Sequence, residues 1–365
     1  MYDIALIGLG PAGATLARLL DSNYSVIAID KKSKTTDTGF RKPCGGLLAP
    51  DAQKALSKFD LTLPKSVLVD PQIFAVKTID TKQNILCHYQ RFYMNLDRHK
   101  FDQWLISLIP DNVEIAEEAD CKNIIKMENG FEITYRQGEK ERTIQAKYVI
   151  GADGSNSLVR KKLFPERKIK QFISIQQFFS EQHVNPFYSC IFDSDITTSY
   201  CWSISKDGLF ILGGAFPRKD GRKRFDLLKQ KLNHLGFHLG EPVRTEACLV
   251  SQPQGLRSFC AAGNDAFLIG EAAGFISPSS LEGISYAMNS ALNLAEIFNR
   301  KPKNLCLAYR IKTIRMRVRL LLKDIKAPFM YQPFLRKLVM KSGLMAINVM
   351  EQGIEPEKIN QIGKN

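Results

Sequence analysis

The stretch Tyr2-Asp-Ile-Ala-Leu-Ile-Gly8-Leu-Gly10-Pro11-Ala12-Gly13 decides the fold. Residues 3–7 are an apolar run of the length of a strand buried on both faces, as in a parallel sheet. Gly8 permits a tight turn, Gly10 lets the backbone approach a pyrophosphate, and Gly13 lets the next helix pack against the strand. That helix reads Ala14-Thr-Leu-Ala-Arg-Leu-Leu20, with its N-terminus aimed at the phosphates. A second strand follows, Tyr24 to Asp30. Asp30 lies about 20 residues past the glycines, where a carboxylate bonds a ribose hydroxyl, and Lys31 is placed beside it. The competing reading is a Gly-rich turn in another α/β fold. With the motif opening at Tyr2, no signal peptide is expected.

Two further glycine-rich segments follow at long range. One is Gly151-Ala-Asp153-Gly154-Ser-Asn-Ser157-Leu-Val-Arg160, delivered by a short buried strand, Tyr148–Gly151. The other is Gly270-Glu271-Ala-Ala-Gly274-Phe-Ile-Ser-Pro278-Ser-Ser-Leu-Glu282-Gly283-Ile284, led in by a strand over Ala266–Gly270. A lone GxGxxG is weak evidence, but three such segments in this order are far more specific.

The chain has 365 residues, enough for two domains and a sizeable core. No uninterrupted apolar run of about 18 residues occurs, so no transmembrane span is expected. Eight cysteines are scattered without a CxxC pair. Reduced thiols in a cytoplasm are therefore expected, most of them small buried hydrophobes, and no metal site. The net charge of +14 is concentrated. Residues 300–341 hold thirteen basic groups against one acid, Asp324, and so carry +12 of it.

Between the glycine segments, a short helix is expected over Asp51–Phe59 and a strand pair over Phe74–Asp80 and Asn84–Tyr89. Asp97 is a plausible N-cap of the helix that follows. Strands are expected over Val113–Ala116, Cys121–Glu128, Phe131–Arg136 and Arg142–Gln145, with Asn129-Gly130 as a hairpin turn. Residues 172–216 are rich in aromatic groups in strand-like runs, and a helix is expected over Arg222–Leu235. Leu281–Asn299 reads as a helix leading into the basic tail. The fold class is therefore α/β, a Rossmann-type nucleotide-binding domain with an inserted β-sheet domain and a helical C-terminal tail. The expected division is 1–70, 92–160 and 255–300 for the first domain, 71–91 and 161–254 for the second, and 301–365 for the tail.

On these segments the chain resembles the FAD-dependent hydroxylase and reductase superfamily that includes p-hydroxybenzoate hydroxylase, over roughly residues 1–300. Gly151–Arg160 and the Gly270 segment are similar to its DG and GD motifs. The resemblance implies FAD as cofactor, bound by Gly8, Gly10, Pro11, Ala12, Gly13, Asp30 and Lys31 at its ADP half. It places Asp153 and Gly154 near the pyrophosphate. Gly270, Glu271 and Gly274 would follow the ribityl chain, with Gly283 and Ile284 at a helix N-terminus facing the flavin ring. Within the superfamily, Lys42-Pro43-Cys44-Gly45-Gly46 resembles the geranylgeranyl reductase branch, where a Cys-Gly-Gly turn lies beside the flavin ring. Glu282-Gly283-Ile284-Ser-Tyr-Ala and Gly274, where the aromatic hydroxylases usually have histidine, resemble that branch too. Tyr200-Cys-Trp202 is similar to the start of the reductases' Tyr-x-Trp-x-Phe-Pro motif, but continues Ser203-Ile-Ser-Lys. Glu271 replaces the aspartate of the GD motif; it either still reaches a ribityl hydroxyl or shifts the contact.

Cys44 is taken as a site residue and tentative catalytic group against a packing role, because the flanking glycines allow a planar group to come close. Arg98 is read as a cofactor contact, or else a solvated helix residue. Phe178, Tyr200, Trp202, Phe216 and Pro278 are the expected lining of an apolar substrate pocket, against an ordinary core behind the sheet. The expected activity is that of an FAD-dependent oxidoreductase reducing a carbon–carbon double bond of an apolar, prenyl or polycyclic, substrate. The alternative is an FAD-dependent monooxygenase acting on an aromatic or polycyclic substrate. A non-catalytic flavin-binding redox sensor stands further off, as does a halogenase, since no Trp-x-Trp-x-Ile-Pro motif occurs. No second GxGxxG for NAD(P)H is present, so the donor is NAD(P)H or another reductant. In the tail, Ile311, Ile314, Val318, Leu321 and Leu322 alternate with basic groups. That pattern suits peripheral contact of 300–341 with an anionic membrane, or a helix packed on the body with a solvated outer face. Nucleic-acid binding is not expected, because no recognition motif accompanies the charge.

Overall fold

A computed structural model describes residues 1–33, 41–180, 187–234, 237 and 239–349. Tyr2–Ile7 forms the middle of an eight-stranded sheet. It pairs in parallel with Val26–Ile29 on one side and with the end of Lys140–Gly151 on the other. Val113–Ala116 and Ala266–Leu268 extend the parallel order outward. Ile4, Ala5, Leu6, Ile27, Val149 and Phe267 are buried on both faces of this sheet, which is why their strands read as continuous apolar runs. Helices Pro11–Leu19 and Ile284–Arg300 pack against each other on it.

The second sheet has nine strands of mixed direction. Arg244–Gln252, Lys170–Ser180, Leu209–Pro217 and Cys201–Lys206 run antiparallel in that order. Phe187–Phe192 then joins Ile73–Asp80, and Ile85–Asn95 follows. Period-two alternation gives this sheet two apolar faces. One carries Ile175, Phe179, Leu212 and Phe216 under the helix Gly221–Asn233; the other carries Phe172, Tyr188, Phe192, Tyr200 and Trp202.

Several boundaries differ from expectation. The second strand of the early pair runs to Asn95, past the expected end at Tyr89; Asn95 Nδ2 donates to Pro71 O and Ser205 O, both at 2.9 Å, within the sheet. Lys140–Gly151 is one strand where two were expected. Its first part pairs antiparallel with Gly130–Gln137 and its last part parallel with Tyr2–Ile7. Met127 pairs with Gly130, so Glu128-Asn129 forms the hairpin loop and Gly130 belongs to the strand. Asp97 caps the helix Arg98–Ser107 as expected, accepting from His99 N and Lys100 N.

The tail forms helices Leu305–Lys312, Ile314–Lys326, Pro328–Tyr331 and Pro333–Lys341. It is fixed to the second sheet by a buried ion pair, Arg336 Nε to Asp80 Oδ2 at 2.7 Å, and by Ala346–Ile347 pairing with Ile85–Asn95. Residues 350–365 of the expected tail region and 34–40 of the expected polar loop lie outside the described residues, as does Leu235 at the end of the expected helix. Among the described residues no helix is long and apolar enough to cross a membrane, and all eight cysteines are free.

Candidate flavin and substrate site

The first glycine turn closes and opens in the right places. A Cβ on Gly13 would lie 1.9 Å from Gly8 O, so the helix can sit this close to the strand only with glycine there. Gly10 is the opposite case: a Cβ on it would meet no atom within 4 Å. Gly10 is the N-cap of the helix Pro11–Leu19, with no side chain capping it and Pro11 in its first turn. A helix N-terminus without a side-chain cap, with space beside Gly10, is the kind of end that suits a pyrophosphate. Asp30 is buried at the end of its strand, accepting from Leu9 N and, at 2.7 Å, from Lys32 N.

Lys31 and Arg98 are both engaged in ion pairs with the protein. Lys31 is exposed and pairs with Asp120 at 2.9 Å. The next residue, Lys32, turns inward and lies 3.3 Å from Asp102 Oδ2, whose other oxygen takes Arg98 Nε at 2.8 Å. Burial opposes the Arg98 charge, but Asp102 and the neighbouring Cys44 outweigh it and hold the guanidinium above its ordinary pKa. Arg98 is therefore a buried ion-pair member beside the Cys44 turn, not a solvated helix residue.

The second and third glycine segments meet over the same cradle. Asp153 Oδ2 accepts from Leu158 N at 2.6 Å, while its Oδ1 is buried without a partner among the described residues. Burial pushes the Asp153 carboxyl up. Arg160 is buried and joins the two segments, donating to Ala272 O at 3.0 Å and Ser258 O at 2.7 Å. Gly270 packs against the first turn, where an added Cβ would lie 3.0 Å from Ala12 Cβ. Gly274 has φ +83° and closes the turn by bonding Glu271 O at 2.9 Å. Gly283 is the N-cap of the helix that opens at Ile284.

Glu271, standing where the pattern has aspartate, is held by the protein on both carboxylate oxygens. Its Oε1 accepts from Ser251 N at 2.8 Å and its Oε2 from Lys42 Nζ at 2.6 Å. Lys42, a functional candidate that its position before Pro43-Cys44 does not reveal, also faces Gly154, 3.9 Å from where a Cβ would stand. Burial opposes its charge, yet Glu271 outweighs this and raises it.

The Cys44-Gly45-Gly46 turn lies against the second sheet. Gly46 N donates to Cys44 Sγ at 3.4 Å. A Cβ on Gly45 would stand 3.1 Å from Ile204 Cδ1 and 3.9 Å from Trp202 Nε1. That indole N–H is buried with no partner among the described residues. Lys206, at the end of the same strand, donates to Leu96 O at 2.6 Å and Gly46 O at 3.3 Å. Burial brings its pKa down to about 8. Tyr200 stands on the same face, its hydroxyl donating to Ser280 O at 2.8 Å, next to the buried loop at Pro278. Tyr188 and Phe192 complete this face, and Tyr331 of the tail closes over it, donating to Ser279 O.

Two expected lining residues lie elsewhere. Phe216 points to the opposite face and meets Phe225 of the covering helix, ring centres 5.6 Å apart. An aromatic strand residue followed by another apolar neighbour does not reveal which side it takes when both sides are buried. Phe178 shares the face of Phe172 but lies six residues along the strand, under the Arg244 guanidinium at 3.8 Å.

Residues 99–224 match a family model described as an FAD binding domain. Protein CbrA of Escherichia coli O6:H1 is 49% identical over 346 residues, covering 95% of this chain and 94% of that protein. The chain belongs to the CbrA family. The CbrA of E. coli K12 is 48% identical, with 95% and 98% covered. The fold is shared with a geranylgeranyl bacteriochlorophyll reductase-like protein of Thermoplasma acidophilum, at TM-score 0.77 and 19% identity over 99% of this chain and 95% of that one. It is shared also with PqsL of Pseudomonas aeruginosa, a probable FAD-dependent monooxygenase, at TM-score 0.67 and 15% identity over 94% and 99%. This CbrA-family chain thus matches an FAD binding domain over residues 99–224 and shares the fold of these flavoproteins.

Proposed function

We propose that the chain reduces a carbon–carbon double bond in an apolar substrate of prenyl or polycyclic type. The observation that carries this reading is the aromatic face of Tyr188, Phe192, Tyr200 and Trp202, which borders the Cys44–Gly46 turn. FAD, reduced by NAD(P)H or another donor, supplies hydride chemistry when bound. Gly10 and the helix N-terminus at Pro11 would hold its diphosphate, and Asp30 would face the ribose. Arg160 keeps the second and third segments together. The aromatic face excludes water and positions an apolar chain. Burial pushes the Tyr188 and Tyr200 hydroxyls well above their ordinary pKa, so these groups stay neutral beside the substrate. Adding two hydrogens across a double bond needs a proton as well as a hydride. Lys206, with a pKa of about 8 and two carbonyl acceptors fixing it behind the Cys44 turn, is the candidate source.

The test is anaerobic turnover of a geranylgeranyl-bearing lipid by the chemically reduced flavoprotein, followed by mass spectrometry. A gain of two hydrogens for each bond supports the reading. Incorporation of labelled oxygen from ¹⁸O₂ in an aerobic run, with no reduced product in the anaerobic one, would replace it with the monooxygenase alternative.

A further inference from the structure

The helices Leu305–Lys312 and Ile314–Lys326 dock on the body by one side only. Met316 and Leu320 are buried, Asp324 accepts from Gly255 N at 3.0 Å, and Lys323 reaches Asp51 at 3.6 Å. On the other side Ile311, Ile314, Val318, Leu322, Ile325 and Phe329 follow at intervals of three and four residues, which aligns them in one stripe. All are exposed, from 48% at Val318 to 70% at Ile325. A continuous apolar stripe left in water marks contact with another phase or molecule.

The charge beside the stripe has one sign. Arg315, Arg319 and Lys326 are exposed and form no ion pair among the described residues. Arg310 and Arg317, from the same two helices, join Arg167 in lining a cavity of about 400 Å³. Its one lining acid, Glu166, lies 3.6 Å from Arg167. The single acid of these helices, Asp324, is turned to the body. Self-association through the stripe would set these cations against their own copies, which opposes an isologous dimer. An anionic bilayer meets both features: its acyl region takes the apolar groups while arginine and lysine reach the phosphates.

We propose that the stripe from Ile311 to Phe329 docks on the surface of an anionic phospholipid membrane and holds the flavoprotein there peripherally. This does not depend on which reaction the flavin site performs. The stripe ends next to Met330 and Tyr331, which cover the aromatic face of the second sheet.

Co-sedimentation of the full chain with vesicles tests it, using phosphatidylglycerol–phosphatidylcholine mixtures and pure phosphatidylcholine. The wild type should pellet with the anionic vesicles at low salt and be released by high salt and by the neutral vesicles. The double variant Val318→Asp, Leu322→Asp should lower the bound fraction on the order of tenfold, and Arg315→Glu, Arg319→Glu by a similar factor. Both sets of side chains are exposed, so flavin content and thermal melting should remain at wild-type values. Two outcomes overturn the proposal: wild-type protein staying in the supernatant with anionic vesicles at low salt, or a solution dimer that the Val318→Asp, Leu322→Asp variant splits into monomers.

Discussion

The proposed dinucleotide half of the site is built from backbone, and the proposed substrate half from side chains on one face of a sheet. Around Gly8–Gly13 the proposed binding groups are main-chain N–H groups, and side chains matter by their absence: Gly13 has no room for a Cβ, while a Cβ on Gly10 would meet no protein atom within 4 Å. On the second sheet the polypeptide gives two equally apolar faces, and function follows from which side chain falls on which. Trp202 and Phe216 are both buried strand aromatics, yet one faces the Cys44 turn and the other a structural helix. The first half therefore fails by steric exclusion, abruptly. The second separates stability from activity residue by residue.

The largest expected effect lies in the first half. Gly13→Val forces a side chain into Gly8 O and should leave no folded protein, checked by soluble yield and by loss of a cooperative melt. Gly10→Val meets no protein atom, so it should fold and melt like wild type while purifying without flavin. The visible flavin spectrum and extracted FAD decide this. Full FAD content in folded Gly10→Val would show that the diphosphate does not approach there.

The second contrast is smaller and runs across the sheet. Phe216→Ala empties a fully buried site and should cost about 3–5 kcal/mol of unfolding free energy, with turnover per folded molecule retained. Trp202→Phe keeps an aromatic six-membered ring but removes the unpaired indole N–H with part of the bicyclic ring. It should cost less stability than Phe216→Ala and lose roughly tenfold in turnover, the worth of one ligand hydrogen bond. Cys44→Ala should keep its FAD and change rate or product. If Phe216→Ala silenced the reaction while Trp202→Phe left it untouched, the assignment of the two faces would be reversed.

The turn geometry of the first half was legible because glycine spacing is a local property: Gly8, Gly10 and Gly13 form the strand-to-helix turn that their spacing predicts, and Asp30 follows the end of the next strand. Asp153, Gly154, Gly270 and Gly274 were legible by pattern for the same reason. What was not legible depends on pairs joined only by the fold. Lys42 meets Glu271 across 229 residues, and only the glutamate in place of aspartate hinted that a different partner was needed. Lys31 and Lys32 are neighbours in a polar loop, and only tertiary packing against Asp102 chose the second for burial. Phe216 was assigned to the pocket because an aromatic strand buried on both sides has no polar face to set its phase.

The subtlest expected effect sharpens the contrast with a single titration. Lys206 belongs to the substrate sheet but holds the Cys44 turn through Gly46 O and Leu96 O. In the folded chain its pKa is about 8; in the unfolded chain a lysine keeps its proton to about 10.4. Below pH 8 both states carry the proton, and the burial penalty on the charged amine is present in full. Between about pH 8 and pH 10.4 the unfolded chain binds more protons than the folded one, so stability from this group rises with pH. Turnover should move the other way, because the proton that Lys206 supplies is lost over the same interval. Wild type should therefore show a falling alkaline limb in turnover near pH 8 together with a melting temperature that gains on that of Lys206→Met as pH increases. The variant should lack the limb and melt with a flatter pH profile. A limb that persists in Lys206→Met would assign the proton to another group and leave Lys206 as a clamp on the Cys44–Gly46 turn.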